Sequence, residues 1–190
     1  MILDCFGKSC LSRNLLPNSN LSHPLSMQIK TQFDNPDGTV SIVTYEDADS
    51  FESLDFSKIT QCSAVCFLKG KMVVVFHGKR KTWGLVGGSI EPEESLEDCL
   101  KREIQEESNM KVLDFKPIGY QSVQTGDKTI YQLRYVCDVE SYGEFISDPA
   151  GKITEIKVID PKDYKQYFDW GEIGERIVER AMEMKNNMQI

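Results

Sequence analysis

The chain has 190 residues, 40% of them hydrophobic, which suits one globular domain with an extension and argues against wholesale disorder. Asp and Glu number 30 against 22 Lys and Arg, and the net charge of −8 argues against a dedicated nucleic-acid binder, whose phosphate contacts need a basic surplus. Small phosphorylated ligands stay open, because a metal ion can supply the missing positive charge.

The longest apolar runs, Ala64–Leu68 and Met72–Phe76, are a fraction of the roughly 20 residues that a membrane helix needs, so no membrane partner is expected. Lys8 and Arg13 break up the apolar patches near the start, so no secretory leader is read there. The six cysteines contain no CxxC pair and there are only two histidines, which leaves too few partners for a zinc site. They read as reduced thiols packed as small hydrophobes in a cytoplasmic protein.

Residues 1–26 are rich in Ser and Asn and carry a single acid, Asp4; a flexible N-terminal arm without a catalytic role is expected. Residues 27–58 read as an N-terminal hairpin and connector, with Asn35-Pro36-Asp37-Gly38 as the turn and one helical turn at most before Lys58. The hairpin is also a candidate homodimer interface. The main domain is expected over 59–190. Thr60–Leu68 and Lys71–His77 form a second hairpin around Lys69-Gly70, followed by a Gly-rich stretch, Trp83–Ser89. A helix is expected from about Pro92 to Ser108, and two long strands, Val112–Thr125 and Thr129–Glu140, meet at Gly126-Asp127. Ile153–Asp160 is a last strand, Pro161 opens a short polar helix, and Gly171–Asn186 is amphipathic, with Ile173, Ile177, Ala181 and Met184 at helical spacing. Strands with two well-separated helices predict an α/β fold, a mixed β-sheet carrying helices on both faces.

The Pro92–Ser108 segment carries the chemistry. On a helical wheel Cys99, Leu100 and Ile104 share a stripe with Leu96, while Glu94, Asp98, Lys101 and Gln105 fall on the solvated side. Glu103 and Glu107 land within about 20 degrees of Leu96, inside the apolar stripe, with Glu106 beside them. Two carboxylates one helical turn apart repel by about 3 kcal/mol at an effective dielectric near 20, and burial adds to that. Protonation, pairing with Arg102 or a lysine, or a hard divalent cation would relieve the cost. Oxygen-only ligands select Mg²⁺, Mn²⁺ or Ca²⁺.

The spacing Gly88, five residues, Glu94, seven residues, Arg102-Glu103-Ile104-Gln105-Glu106-Glu107, Ser108-Asn109-Met110 closely resembles the Nudix box, GX5EX7REUXEEXGU with U apolar. The final glycine is Asn109 here; a residue just past a helix end usually adopts left-handed angles, which Asn tolerates best after Gly. Val86 stands where relatives often have proline. The resemblance implies the α/β/α Nudix sandwich and a pyrophosphohydrolase that cleaves a nucleoside diphosphate linked to another moiety. The implied partner is a small nucleotide-like diphosphate, and the implied cofactor is Mg²⁺ or Mn²⁺. By the same resemblance Glu103, Glu106 and Glu107 bind metal with the carbonyl of Gly88, Glu103 is a candidate base, Arg102 orients the carboxylates and Glu94 braces the junction. Family members often recruit a further carboxylate as base, and Glu155 on the late strand is the candidate here. Tyr131, Leu133 and Tyr135 alternate on one strand face and are candidates for stacking on a base, with packing the more common role of aromatic strand residues. A Nudix-fold module that binds a nucleotide without turnover is the alternative.

Overall fold

The computed structural model describes residues 27–186 and Met188, so the expected arm over 1–26, with Cys5 and Cys10, lies outside the described residues. Among the described residues nine strands form one sheet. In chain order the elements are β1 (Gln28–Asp34), β2 (Val40–Glu46), β3 (Ile59–Leu68), β4 (Lys71–His77), β5 (Thr82–Gly84), β6 (Val86–Ser89), α1 (Leu96–Ser108), β7 (Met110–Thr125), β8 (Lys128–Ser141), β9 (Ile153–Ile159) and α2 (Gly171–Lys185). Short 3-10 turns stand at Phe56–Lys58 and Pro161–Gln166.

The strands run β1-β2-β7-β8-β3-β4-β5, with β6 paired to β3 and β9 to β4. Among the described strands only β3 and β8 pair in parallel, so the sheet is mixed. β3 is apolar almost throughout because both of its faces are covered. Cys62, Ala64 and Cys66 pack with Cys99, Leu100 and Ile104 of α1. Val65 and Phe67, which point the other way, pack with Ile173, Ile177 and Ala181 of α2. One helix therefore covers each face, as the α/β/α expectation requires.

One expectation, the start of α1, needs correction, and the pairing of two further segments adds to the reading. The hairpin β1–β2 is no separate unit: Ser41–Glu46 pairs with Tyr120–Thr125 of β7, and Tyr45 is fully buried in the α2-side core. The Gly-rich stretch supplies two strands, β5 and β6, with Leu85 between them. α1 starts at Leu96 rather than near Pro92. Ser95 caps it, its side chain accepting from the Asp98 N–H, and Glu93 just before it has φ +65°, which no helix continues through. Tyr135 is core, the packing alternative, edge-on to Phe51 and Phe115.

Candidate metal and phosphate site

The glycine strand β6 and the C-terminal half of α1 build the site together. Gly87 donates its N–H to Glu107 Oε2 at 2.9 Å, which ties the last box carboxylate to the strand. A Cβ on Gly88 would collide with both carboxylate oxygens of Glu103, so this strand position must be glycine for the acid to sit there. Gly87, at φ +148°, could not carry a Cβ either, because it would strike the Cys62 carbonyl and Ser63.

Arg102 organises the rest. Its Nε and Nη2 fork onto Glu94 at 2.7 and 2.9 Å, Nη2 also donates to the Ser89 carbonyl at 3.0 Å, and Nη1 reaches Glu103 at 2.8 Å and Glu106 at 3.4 Å. The two-point contact with Glu94 is possible because Glu94 stands in the turn before the helix, not on the solvated helical side where the wheel put it. That guanidinium holds the Glu94 carboxyl down at about 2.

The carboxylates occupy different surroundings. Glu103 is 4% and Glu107 5% exposed, whereas the Glu106 side chain is 35% exposed. Burial raises the Glu103 carboxyl, with Arg102 working against it, and pushes Glu107 up to about 8 despite the Gly87 N–H. Lys152 lowers both through its charge, and Asp148 raises Glu107 further.

Asp148 and Lys152 were not legible as site residues. Asp148 is 5% exposed and accepts backbone N–H bonds from Ala150, Lys152 and Ile153 at 2.8, 2.6 and 2.9 Å. Asp148-Pro149 followed by Gly151 is a turn signature, which signals a bend and says nothing about a helix far back in the chain. Glu155, the expected outside acid, is not brought to the cluster. Between Phe76↔Glu155 and His77↔Ile153 the register slips past Thr154; this bulge turns Ile153 toward α1 and leaves Glu155 on the opposite face. There its side chain is 52% exposed, 3.4 Å from Lys157, whose ammonium lies over Trp83.

Asn109 ends the helix at φ 53°, ψ 42°, the left-handed conformation expected of the missing glycine. Its Nδ2 donates to the Glu144 carbonyl at 3.0 Å, which pins the loop leading to Asp148.

The chemistry of the donor set suits a hard cation. Glu103, Glu106, Glu107 and the Gly88 carbonyl supply oxygen only, and just Arg102 and Lys152 offset the acids. Among the described residues no three acidic, His or Cys side chains are already gathered as a closed cage.

A family model described as NUDIX domain matches residues 60–181. The Bacillus subtilis (strain 168) protein YtkD, provisionally named an 8-oxo-dGTP diphosphatase, is 32% identical over 76 residues, 40% of this chain. The match spans about half of that relative's length, 48%. Among solved structures, the Bacillus subtilis pyrophosphohydrolase BsRppH aligns with a TM-score of 0.62 at 17% identity, over 84% of this chain and 99% of its own. A NUDIX hydrolase from Nitrosomonas europaea aligns with a TM-score of 0.52 at 18% identity, over 70% and 96%. At these identities the structural likeness concerns the fold alone.

Proposed function

Because the chain belongs to the Nudix family, we propose that it is a divalent-metal-dependent pyrophosphohydrolase acting on a nucleoside diphosphate linked to another moiety. The observation that carries the reading is the retained, buried carboxylate pair Glu103 and Glu107, held against Gly88 and Gly87 with Arg102 alongside. Buried acids of this kind cost stability, and a module that only bound a nucleotide would have no need of them.

Glu103, Glu106, Glu107 and the Gly88 carbonyl would hold Mg²⁺ or Mn²⁺. When bound, such an ion neutralises the anionic oxygens of a pyrophosphate and acidifies a water. The protein's own share is positioning. Arg102 keeps Glu103 and Glu106 in fixed rotamers while spending its fork on Glu94, so it orients the acids without cancelling them. Glu103, between Arg102 and the glycine strand, is the candidate base, and Asp148 adds negative charge beside Glu107. A cytoplasmic setting, in keeping with four buried free thiols, belongs to the same reading.

The test is a panel of nucleoside triphosphates including 8-oxo-dGTP, ADP-ribose, sugar nucleotides and dinucleoside polyphosphates, assayed with Mg²⁺ and with Mn²⁺. At least one class should turn over, and Glu107→Gln should lower kcat on it by about 100-fold or more while circular dichroism and Tm stay near wild type. Activity within a few-fold of wild type in that variant would remove Glu107 from the ligand set. No turnover across the panel would leave the nucleotide-binding module.

A further inference from the structure

A phosphate that approaches the carboxylates needs a protein cation to face it, and Arg102 cannot serve. A guanidinium has five N–H donors. Arg102 spends them on Glu94, Glu103, Glu106 and the Ser89 carbonyl, so none is left for a ligand. Its charge is likewise offset by Glu94. Beside one divalent ion, Glu103, Glu106, Glu107 and Asp148 would still carry a surplus of negative charge, which repels an anionic diphosphate.

Lys152 is placed to meet that need. Its charge acts on both Glu103 and Glu107. The residue is exposed, and its ammonium has no hydrogen-bond or ion-pair partner among the described residues. Asp148, the acid nearest in sequence, does not take it, because both Asp148 oxygens accept backbone N–H groups. Exposed lysines elsewhere in this chain do pair with an acid, as Lys101 does with Glu97 and Lys71 with Asp160. Lys152 stands beside acids and pairs with none.

The backbone under this lysine is clamped. Its N–H donates to Asp148 at 2.6 Å, and its carbonyl accepts from the Gly78 N–H at 3.0 Å. A Cβ on Gly78 would stand 2.5 Å from the Thr154 methyl, so the β4–β5 turn presses directly on the start of β9. Ile153, the next residue, is buried in the α1-side core. A fixed root with a four-carbon stem lets the ammonium follow a ligand oxygen while the loop stays in place.

We propose that Lys152 contacts a non-bridging phosphate oxygen of the substrate, on the Asp148 side of the carboxylates that Arg102 supports from the Glu94 side. The inference adds a ligand-contacting residue to the pyrophosphohydrolase reading and rests on that reading for the nature of the anion.

The experiment compares wild type, Lys152→Met, Lys152→Arg and Lys79→Met. It measures kcat and KM on a substrate that turns over, calorimetric binding of α,β-methylene-ADP with Mg²⁺, and binding of Mn²⁺ alone. Lys152→Met should lower kcat/KM by about 10- to 100-fold, chiefly through KM, and weaken the analogue about tenfold. Lys152→Arg keeps the charge and should recover kcat/KM to within about fivefold of wild type. Mn²⁺ alone should bind Lys152→Met as tightly as wild type or more tightly, since a cation near the acids opposes the metal. Lys79→Met removes the same charge from the neighbouring turn and should stay within about threefold on every measure. Analogue affinity and kcat/KM within twofold of wild type in folded Lys152→Met would overturn the proposal. So would an equal loss in Lys79→Met, which would mean diffuse charge, or weaker Mn²⁺ binding in Lys152→Met, which would make the lysine a support of the carboxylates. If no substrate turns over, the hydrolase reading fails separately, and the analogue still decides: weaker binding in Lys152→Met supports the contact and unchanged binding refutes it.

Discussion

Glu94 shows how one side chain links stability to the site. Free in an unfolded chain its carboxyl titrates near 4.5, but beside Arg102 it is held at about 2. The unfolded state therefore takes up a proton first as the pH falls. The stabilisation from Glu94 is complete above about pH 4.5 and is lost as the pH drops toward 2. Glu94→Gln should lower stability at pH 7 by about 2 kcal/mol, the scale of a charge-assisted hydrogen bond. Urea midpoints between pH 3 and 7 should accordingly rise with pH more steeply in wild type than in the variant; parallel slopes would mean that the fork contributes nothing. The role of Glu94 as a brace was legible from the box spacing. Its place in the turn, which makes the two-point contact possible, was not, because a wheel carries the helical angle through Glu93 regardless of that residue's φ of +65°.

At the scale of elements, the boundaries of α1 decide which residues meet. Ser95 begins the helix with its side chain on Asp98, and Asn109 ends it in left-handed geometry while holding the Glu144 carbonyl. Asn109→Ala should cost about 1–2 kcal/mol, since alanine pays for left-handed angles and loses the tether. If the loop that carries Asp148 depends on that tether, hydrogen exchange over 144–152 should rise in the same variant. Unchanged exchange would show that the three backbone bonds to Asp148 hold the loop alone. The last strand teaches the opposite lesson. β9 was correctly placed in the sequence, yet a single bulge at Thr154 reverses the side to which Glu155 belongs. Residue type and strand assignment were legible; the facing was not, because side chains alternate with period two and one extra residue exchanges the faces.

The whole molecule joins the N-terminal hairpin to the domain that follows. Val43 and Tyr45 are buried in the α2-side core, and Asp47 holds Arg176 of α2 at 2.6 Å. A chain beginning at residue 59 would expose that core along β7 and leave Arg176 without Asp47. It should lose cooperative unfolding in urea, whereas a free-standing hairpin unit would leave the transition sharp.

Local order in the chain was enough for the family box, the paired carboxylates on the buried stripe of α1, the left-handed end at Asn109 and the mixed sheet with a helix on each face. The first three depend on contacts between residues close in sequence, where periodicity and spacing hold the information; the sheet was read from the order of strands and helices along the chain. Tertiary structure alone decided the rest. It brought Asp148 and Lys152 to Glu107, sent Glu155 to the far face and merged the hairpin into the sheet. These are matters of register between distant strands and of where a loop returns, and a residue's position in the chain does not specify which residue will lie opposite it.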